Sequence, residues 1–330
     1  MKFRHWILTA SLAISSLVGC KQEESKGKQG FEAFKQTFID TLWKENPQWA
    51  TAVGFHNYDH NLEILYPERL QEKKQFSLRW LDSLKKYPVQ ELSDQDKIDY
   101  WLIENQLRST IWWVDTLREY EWNPSIYNLG EHLDQLLNHK ELPLSKRLIP
   151  ISEKMKEIPQ YYATGLANLK NPTKEHTELA IQQVRGSLAV FQMIEDSLKK
   201  AENIDPEVAS SIRSGLKGCR SEIQLYLQKL EKEILPKAQK EGRSFRLGKE
   251  MHAQKFKYDI VSNYSADDIY QEALKHKAVL HSEMQKLTDQ LWSKYMGSAP
   301  KPEGLQAVKA LITKISEKHV KREEFVSAVK

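Results

Sequence analysis

Residues 205–234 read DPEVASSIRSGLKGCRSEIQLYLQKLEKEI, and this stretch decides the fold class. Its apolar side chains Val208, Ile212, Cys219, Ile223, Tyr226, Leu230 and Ile234 recur at steps of three, four and seven, the spacing of one α-helical face. Asp205 offers an N-cap oxygen, Pro206 a pre-set φ for the first turn, and Glu207 a negative charge where the helix dipole favours one. Pro236 follows just beyond the far end.

The same period recurs on either side. Leu148, Ile151, Met155, Ile158 and Tyr162 form one stripe; Ile269, Ala273, His276, Leu280, Met284, Leu287 and Leu291 form another behind a capping box at Ser265–Asp268. Further helices are expected near 31–45, 68–86, 94–120, 177–200 and 305–318. Asn46-Pro47, Tyr87-Pro88, Asn123-Pro124 and Asn171-Pro172 punctuate the chain, and no alternating strand pair with a hairpin turn occurs. The expectation is all-α, an irregular array of long antiparallel helices with no substantial sheet.

The N-terminus says where such a chain resides. Lys2 and Arg4 open it, an apolar run extends from Trp6 to Ile14, and Leu17-Val18-Gly19-Cys20 closes the segment. This is the layout of a secretory signal, too short for a permanent span of roughly 20 apolar residues. The tetrapeptide resembles the lipobox of bacterial lipoproteins, in which the cysteine is acylated and the chain is cut before it. Residues 1–19 are therefore expected as signal peptide, Cys20 as the lipid attachment, and 20–30 as a flexible tether, since Lys21 to Gly30 carry nothing to bury. Lys21 is not the aspartate associated with inner-membrane retention. The expected location is the bacterial cell envelope, at the periplasmic or surface face of the outer membrane, with the membrane as partner through the anchor.

Lys plus Arg number 49 against 45 Asp plus Glu, a formal net charge of +4 spread along the helices, so no basic face argues for nucleic acid. With Cys20 committed to lipid, Cys219 stands alone on an apolar stripe and reads as a small buried hydrophobe. Trp112, Trp113, Trp122 and Tyr120 can line a groove for sugar or peptide, but at this density aromatics are more often core. His276 falls on the third stripe and reads as a core histidine.

No His-Glu-x-x-His occurs among the ten histidines, and neither a Gly-x-Ser-x-Gly elbow nor a phosphate-binding glycine loop is present. One polar cluster remains. His56, Asp59 and His60 lie in the loop from Gly54 to Asn61, where a ligand-binding role competes with Asp59 merely holding a local turn. No metal is assigned to it.

Asn46-Pro47-Gln48-Trp49-Ala50-Thr51-Ala52-Val53-Gly54, continuing to Asp59 and Leu62, resembles a segment of the bacterial family called domain of unknown function 885. Asp99-Tyr100-Trp101-Leu102-Ile103, Phe245-Arg246-Leu247-Gly248-Lys249-Glu250 and Asp268-Ile269-Tyr270 extend the resemblance over roughly 31–295. Members are often lipoproteins, and complete ones are similar to helical zinc metallopeptidases with a His-Glu-x-x-His helix in the C-terminal half. This chain has no residue matching that helix, so the resemblance carries over no catalytic residue, no metal ligand and no zinc; the cofactor is expected only for complete members. Residues 31–330 are expected as one helical domain, the N-terminal half of the family domain. Residues 321–330 read as an amphipathic helix cut short, which favours truncation over a shortened paralogue. The function implied is a lipid-anchored envelope protein, the substrate-cleft half of a metallopeptidase-like protein, inactive alone and facing a peptide-like ligand. The alternative is a non-enzymatic helical binding or scaffolding lipoprotein.

Overall fold

The computed structural model describes residues 15–329, and side chains from Gly30 onward. Residues 1–14 of the expected signal peptide and the Cys20 side chain lie outside the described residues. The regular structure of the described residues is all helical, with no strand among them. None of their helices is long and apolar enough to cross a membrane. The chain divides into two compact units, Met1–His252 and Ala253–Lys330.

In the first unit the helices are α1 (Ser15–Glu45), α2 (Pro47–Ala52), α3 (Pro67–Leu84), α4 (Asp94–Trp112), α5 (Leu129–Asn138), α6 (Leu144–Asn168), α7 (Lys174–Lys200), α8 (Pro206–Lys229) and α9 (Leu235–Glu241). The backbone of α1 is helical through the residues read as a tether. Its Phe31, Phe34, Phe38 and Leu42 follow the helical period and are buried against Phe76, Leu81 and Leu84 of α3 and Ile103 and Leu107 of α4. Lys35 reinforces that packing with ion pairs of 2.8 Å to both Asp96 and Asp99 of α4.

The larger core is built by α5 to α8. The stripes read from the sequence meet here: Leu148, Ile151, Met155 and Ile158 of α6 face Ile212, Cys219, Ile223 and Tyr226 of α8, with Phe191 and Ile194 of α7 in the same cluster. Asp205 caps α8 by accepting the Glu207 amide at 2.7 Å. Pro159 lies inside α6, where it has no N–H for the Met155 carbonyl four residues back. The Cys219 thiol donates to that carbonyl at 3.4 Å. Burial also raises the thiol's pKa to about 11, so Cys219 stays a protonated core side chain, as its place on the stripe implies.

Two aromatics just beyond α4, Tyr120 and Trp122, are structural. The helix leaves through a π-turn, Trp113–Leu117, whose open carbonyls need donors. Trp122 Nε1 donates to the Leu117 carbonyl at 2.8 Å and the Tyr120 hydroxyl to that of Val114 at 3.1 Å. Both rings are buried.

The chain passes through α10 (Lys249–Ile260) into the second unit, which holds α11 (Ala266–Met296) and α12 (Leu305–Ser316). The capping box at Ser265 and Asp268 forms as the sequence implies. The stripe behind it does not become a core. Trp292, Ala307 and Leu311 make a small buried cluster at the C-terminal end of α11, while Ile269, Leu280, Met284 and Leu287 are exposed. His276, expected in the core, is also exposed, with Nε2 3.3 Å from Glu272. The period reports an apolar face; it does not supply the element that covers it.

Candidate functional site

The histidine loop is set by the end of α2. Gly54 has φ +87°, a conformation that favours glycine, and it ends the helix in a Schellman arrangement. The Gly54 amide donates to Thr51 O at 3.1 Å and the Phe55 amide to Ala50 O at 2.8 Å. The chain then turns through His56–Tyr58 and directs Asp59 back under α2, where it is 7 % exposed.

Both oxygens of Asp59 are engaged. Oδ1 lies 2.6 Å from the Thr51 hydroxyl and Oδ2 lies 2.8 Å from His56 Nδ1. Thr51 has one proton to give, and the short contact to the carboxylate takes it. The His56 ring stacks on His139 at the end of α5, with centroids 3.7 Å apart. The structure thus joins His56 to Asp59 and leaves His60 exposed. Among the described residues no group of three or more His, Cys, Asp or Glu is arranged to hold a metal ion.

Behind Asp59 lies a residue the motif search passes over. Lys154 of α6 is 1 % exposed. Burial lowers its pKa to about 8, against the opposing pull of Asp59 and Glu157. Its position was visible in the sequence, because a residue three beyond Ile151 and four before Ile158 lies on the apolar face of α6. His132 of α5 feels the same environment. Burial first, and then the Lys154 charge, push its imidazole down to about 4, so the ring is neutral at physiological pH.

His132 also lines a recess of about 340 Å3 between α2 and α5, together with Gln48, Trp49, Glu63, Glu131 and Gln135. Gln48 Oε1, Gln135 Oε1 and His132 Nδ1 are buried with no hydrogen-bond partner among the described residues. The three residues that carry these atoms line one recess, and unpaired buried polar atoms are unusual, because such atoms are nearly always paired. Glu63 is held from behind by Lys73 at 2.8 Å and Arg69 at 3.1 Å. Trp49 is 42 % exposed, and its ring meets Trp43 edge-on with centroids 5.0 Å apart. Glu131-His132 gave no motif in the sequence, and the two glutamines gave none either; only the pairing of α2 with α5 assembles them.

The family described as "Bacterial protein of unknown function (DUF885)" matches residues 47–329. No curated protein matches the chain. Among solved structures, a protein described as a lipoprotein of unknown function from Shewanella oneidensis is similar, with 35 % identity and a TM-score of 0.79. The likeness covers 91 % of this chain and 55 % of that one, so the chain spans little more than half the length of this relative. With the matched segment extending over most of its length and beginning at the very proline that opens α2, the chain belongs to the DUF885 family of bacterial proteins.

Proposed function

We propose that the protein is a lipid-anchored component of the bacterial cell envelope, held at the outer membrane through an acylated Cys20. In this reading its helical body is the ligand-facing N-terminal part of a larger family architecture. The observation that carries it is Leu17-Val18-Gly19-Cys20 at the close of a short apolar segment with a basic start. The likeness to a structure described as a lipoprotein supports it. Acyl chains contribute ~0.8 kcal/mol per buried methylene, so more than one chain on the cysteine gives a stable anchor. The metallopeptidase-like character rests on the family resemblance. Among the described residues no metal-ligand set occurs, and the part the resemblance assigns to this chain is one helical wall of a substrate cleft.

The test is Cys20→Ser, expressed in a Gram-negative host fed labelled palmitate and then fractionated. The native chain is expected in the membrane fraction and labelled. The variant is expected unlabelled, as soluble protein or uncleaved precursor. A variant that is fully processed and as firmly membrane-bound as the native chain overturns the anchor.

A further inference from the structure

The recess between α2 and α5 selects against most ligand classes. An anion would meet the Glu131 carboxylate and two amide oxygens. A cation finds Glu63 already neutralised by Lys73 and Arg69, Glu131 open to solvent and accepting from Asn128, and the repulsive Lys154 charge that also acts on His132. A wholly apolar ligand would leave the polar groups of Gln48, His132 and Gln135 without partners, which is unfavourable. What remains is a neutral ligand rich in hydroxyls. Hydroxyls donate and accept, which suits glutamine amides, whose two ends offer an acceptor and a donor, and a neutral imidazole.

The wall opposite in character is Trp49. Its indole is braced by the edge-on contact with Trp43, and 42 % of its surface is open. A flat apolar surface beside a few convergent polar groups is how small-molecule sites fix orientation, and about 340 Å3 lies at the lower end of their size range. A pyranose has both faces of that chemistry: C–H groups on one side of the ring and hydroxyls around its rim.

We propose that this recess is a carbohydrate-binding subsite that takes one neutral pyranose unit, stacked on Trp49 and hydrogen-bonded through its hydroxyls to Gln48, His132 and Gln135. The subsite is independent of the membrane anchor, and it is separate from the Asp59 carboxylate, whose oxygens are both engaged.

The experiment is saturation-transfer NMR with tryptophan emission, on the full chain in a phosphocholine detergent that carries no sugar. The probes are chitotriose, maltotriose and cellotriose, with trialanine as the peptide probe. Saturable transfer to the ring protons of at least one trisaccharide is expected, with little to trialanine. Trp49→Ala should weaken that binding roughly tenfold, Trp49→Phe should retain part of it, and Gln48→Leu with Gln135→Leu should weaken it while the melting temperature holds. Because Trp49→Phe and the glutamine pair keep the packing, a folding defect in Trp49→Ala does not hide the answer. Absence of saturable binding of all three sugars overturns the proposal, as does binding that none of these variants weakens. Saturable trialanine binding without sugar binding reassigns the recess to a peptide.

Discussion

Lys154 lies among Ile151, Met155 and Ile158 on the buried face of α6, with Asp59 and Glu157 as the carboxylates that favour its charge. Its pKa is lowered in the fold from 10.5 to about 8, so between these values the unfolded chain binds more protons and stability rises with pH. Below about pH 8 the lysine is charged in both states and the cost of burying it is fully expressed, on the order of 3 kcal/mol. Lys154→Met should therefore be more stable than the native chain at pH 7, and urea titrations should show the advantage shrinking from pH 8 to 10.5. An advantage independent of pH would mean that the charge is not the cause. Asp59→Asn acts in the opposite direction. It loses two charge-assisted hydrogen bonds and one carboxylate facing Lys154, so stability should fall by roughly 1–3 kcal/mol. The rise with pH should also begin lower, because the lysine loses support for its charge. His60→Ala, at an exposed position, should stay within about 0.5 kcal/mol. An Asp59→Asn variant of native stability would return this loop to a ligand-binding role.

At the scale of elements, α5 and α7 approach so closely that only a glycine fits. A Cβ on Gly130 would lie 2.1 Å from Ser187 Oγ and 2.9 Å from Ser187 Cα. Alanine normally favours a helix interior over glycine by about 1 kcal/mol. Here a backbone atom stands in the way, and overpacking costs about 1–3 kcal/mol, so the steric term prevails. Gly130→Ala should lower the melting temperature. Gly186→Ala, whose Cβ meets nothing within 4 Å on the neighbouring helix, should raise it slightly. Equal shifts of one sign would show that α5 does not rest on α7 as described. His132 and Gln135 of α5 meet Gln48 of α2 at the recess, which therefore depends on element packing as much as on its own residues.

At the scale of the whole molecule, the second unit leaves a row of large apolar side chains exposed on α11 beside a small buried cluster. Leu280 is 56 % and Leu287 55 % exposed on α11, with Met284 between them on the same face. Contiguous apolar surface of this kind binds fluorescent hydrophobic dyes and promotes association. Leu280→Lys with Leu287→Lys should reduce dye binding and aggregation while changing stability by no more than about 0.5 kcal/mol per site. A clear loss of stability would show that these leucines are packed in solution.

Local sequence determined the long helices with a clean stripe and their N-caps, but not the stop expected at Pro236, where α8 runs on through a π-turn, Leu230–Ile234, into α9. Asp205 and Ser265 accept the amides they were expected to, and the stripes of α6 and α8 are buried as read, because spacing and capping act within a few residues of the chain. The six-residue α2 is too short to show a period; α5 carries one in Leu129, Leu133, Leu136 and Leu137, but what α5 packs on is not written in it, and so the recess was hidden. For α11 the sequence determined the helix and its apolar face, but not what that face meets. His56 and Asp59 share a loop and were found together; the contacts of Asp59 with Thr51 and of His56 with His139 were not. Burial, lowered pKa values and unpaired polar atoms arise from contacts distant in the chain. Only the tertiary structure decides them, because each depends on which faces pack together.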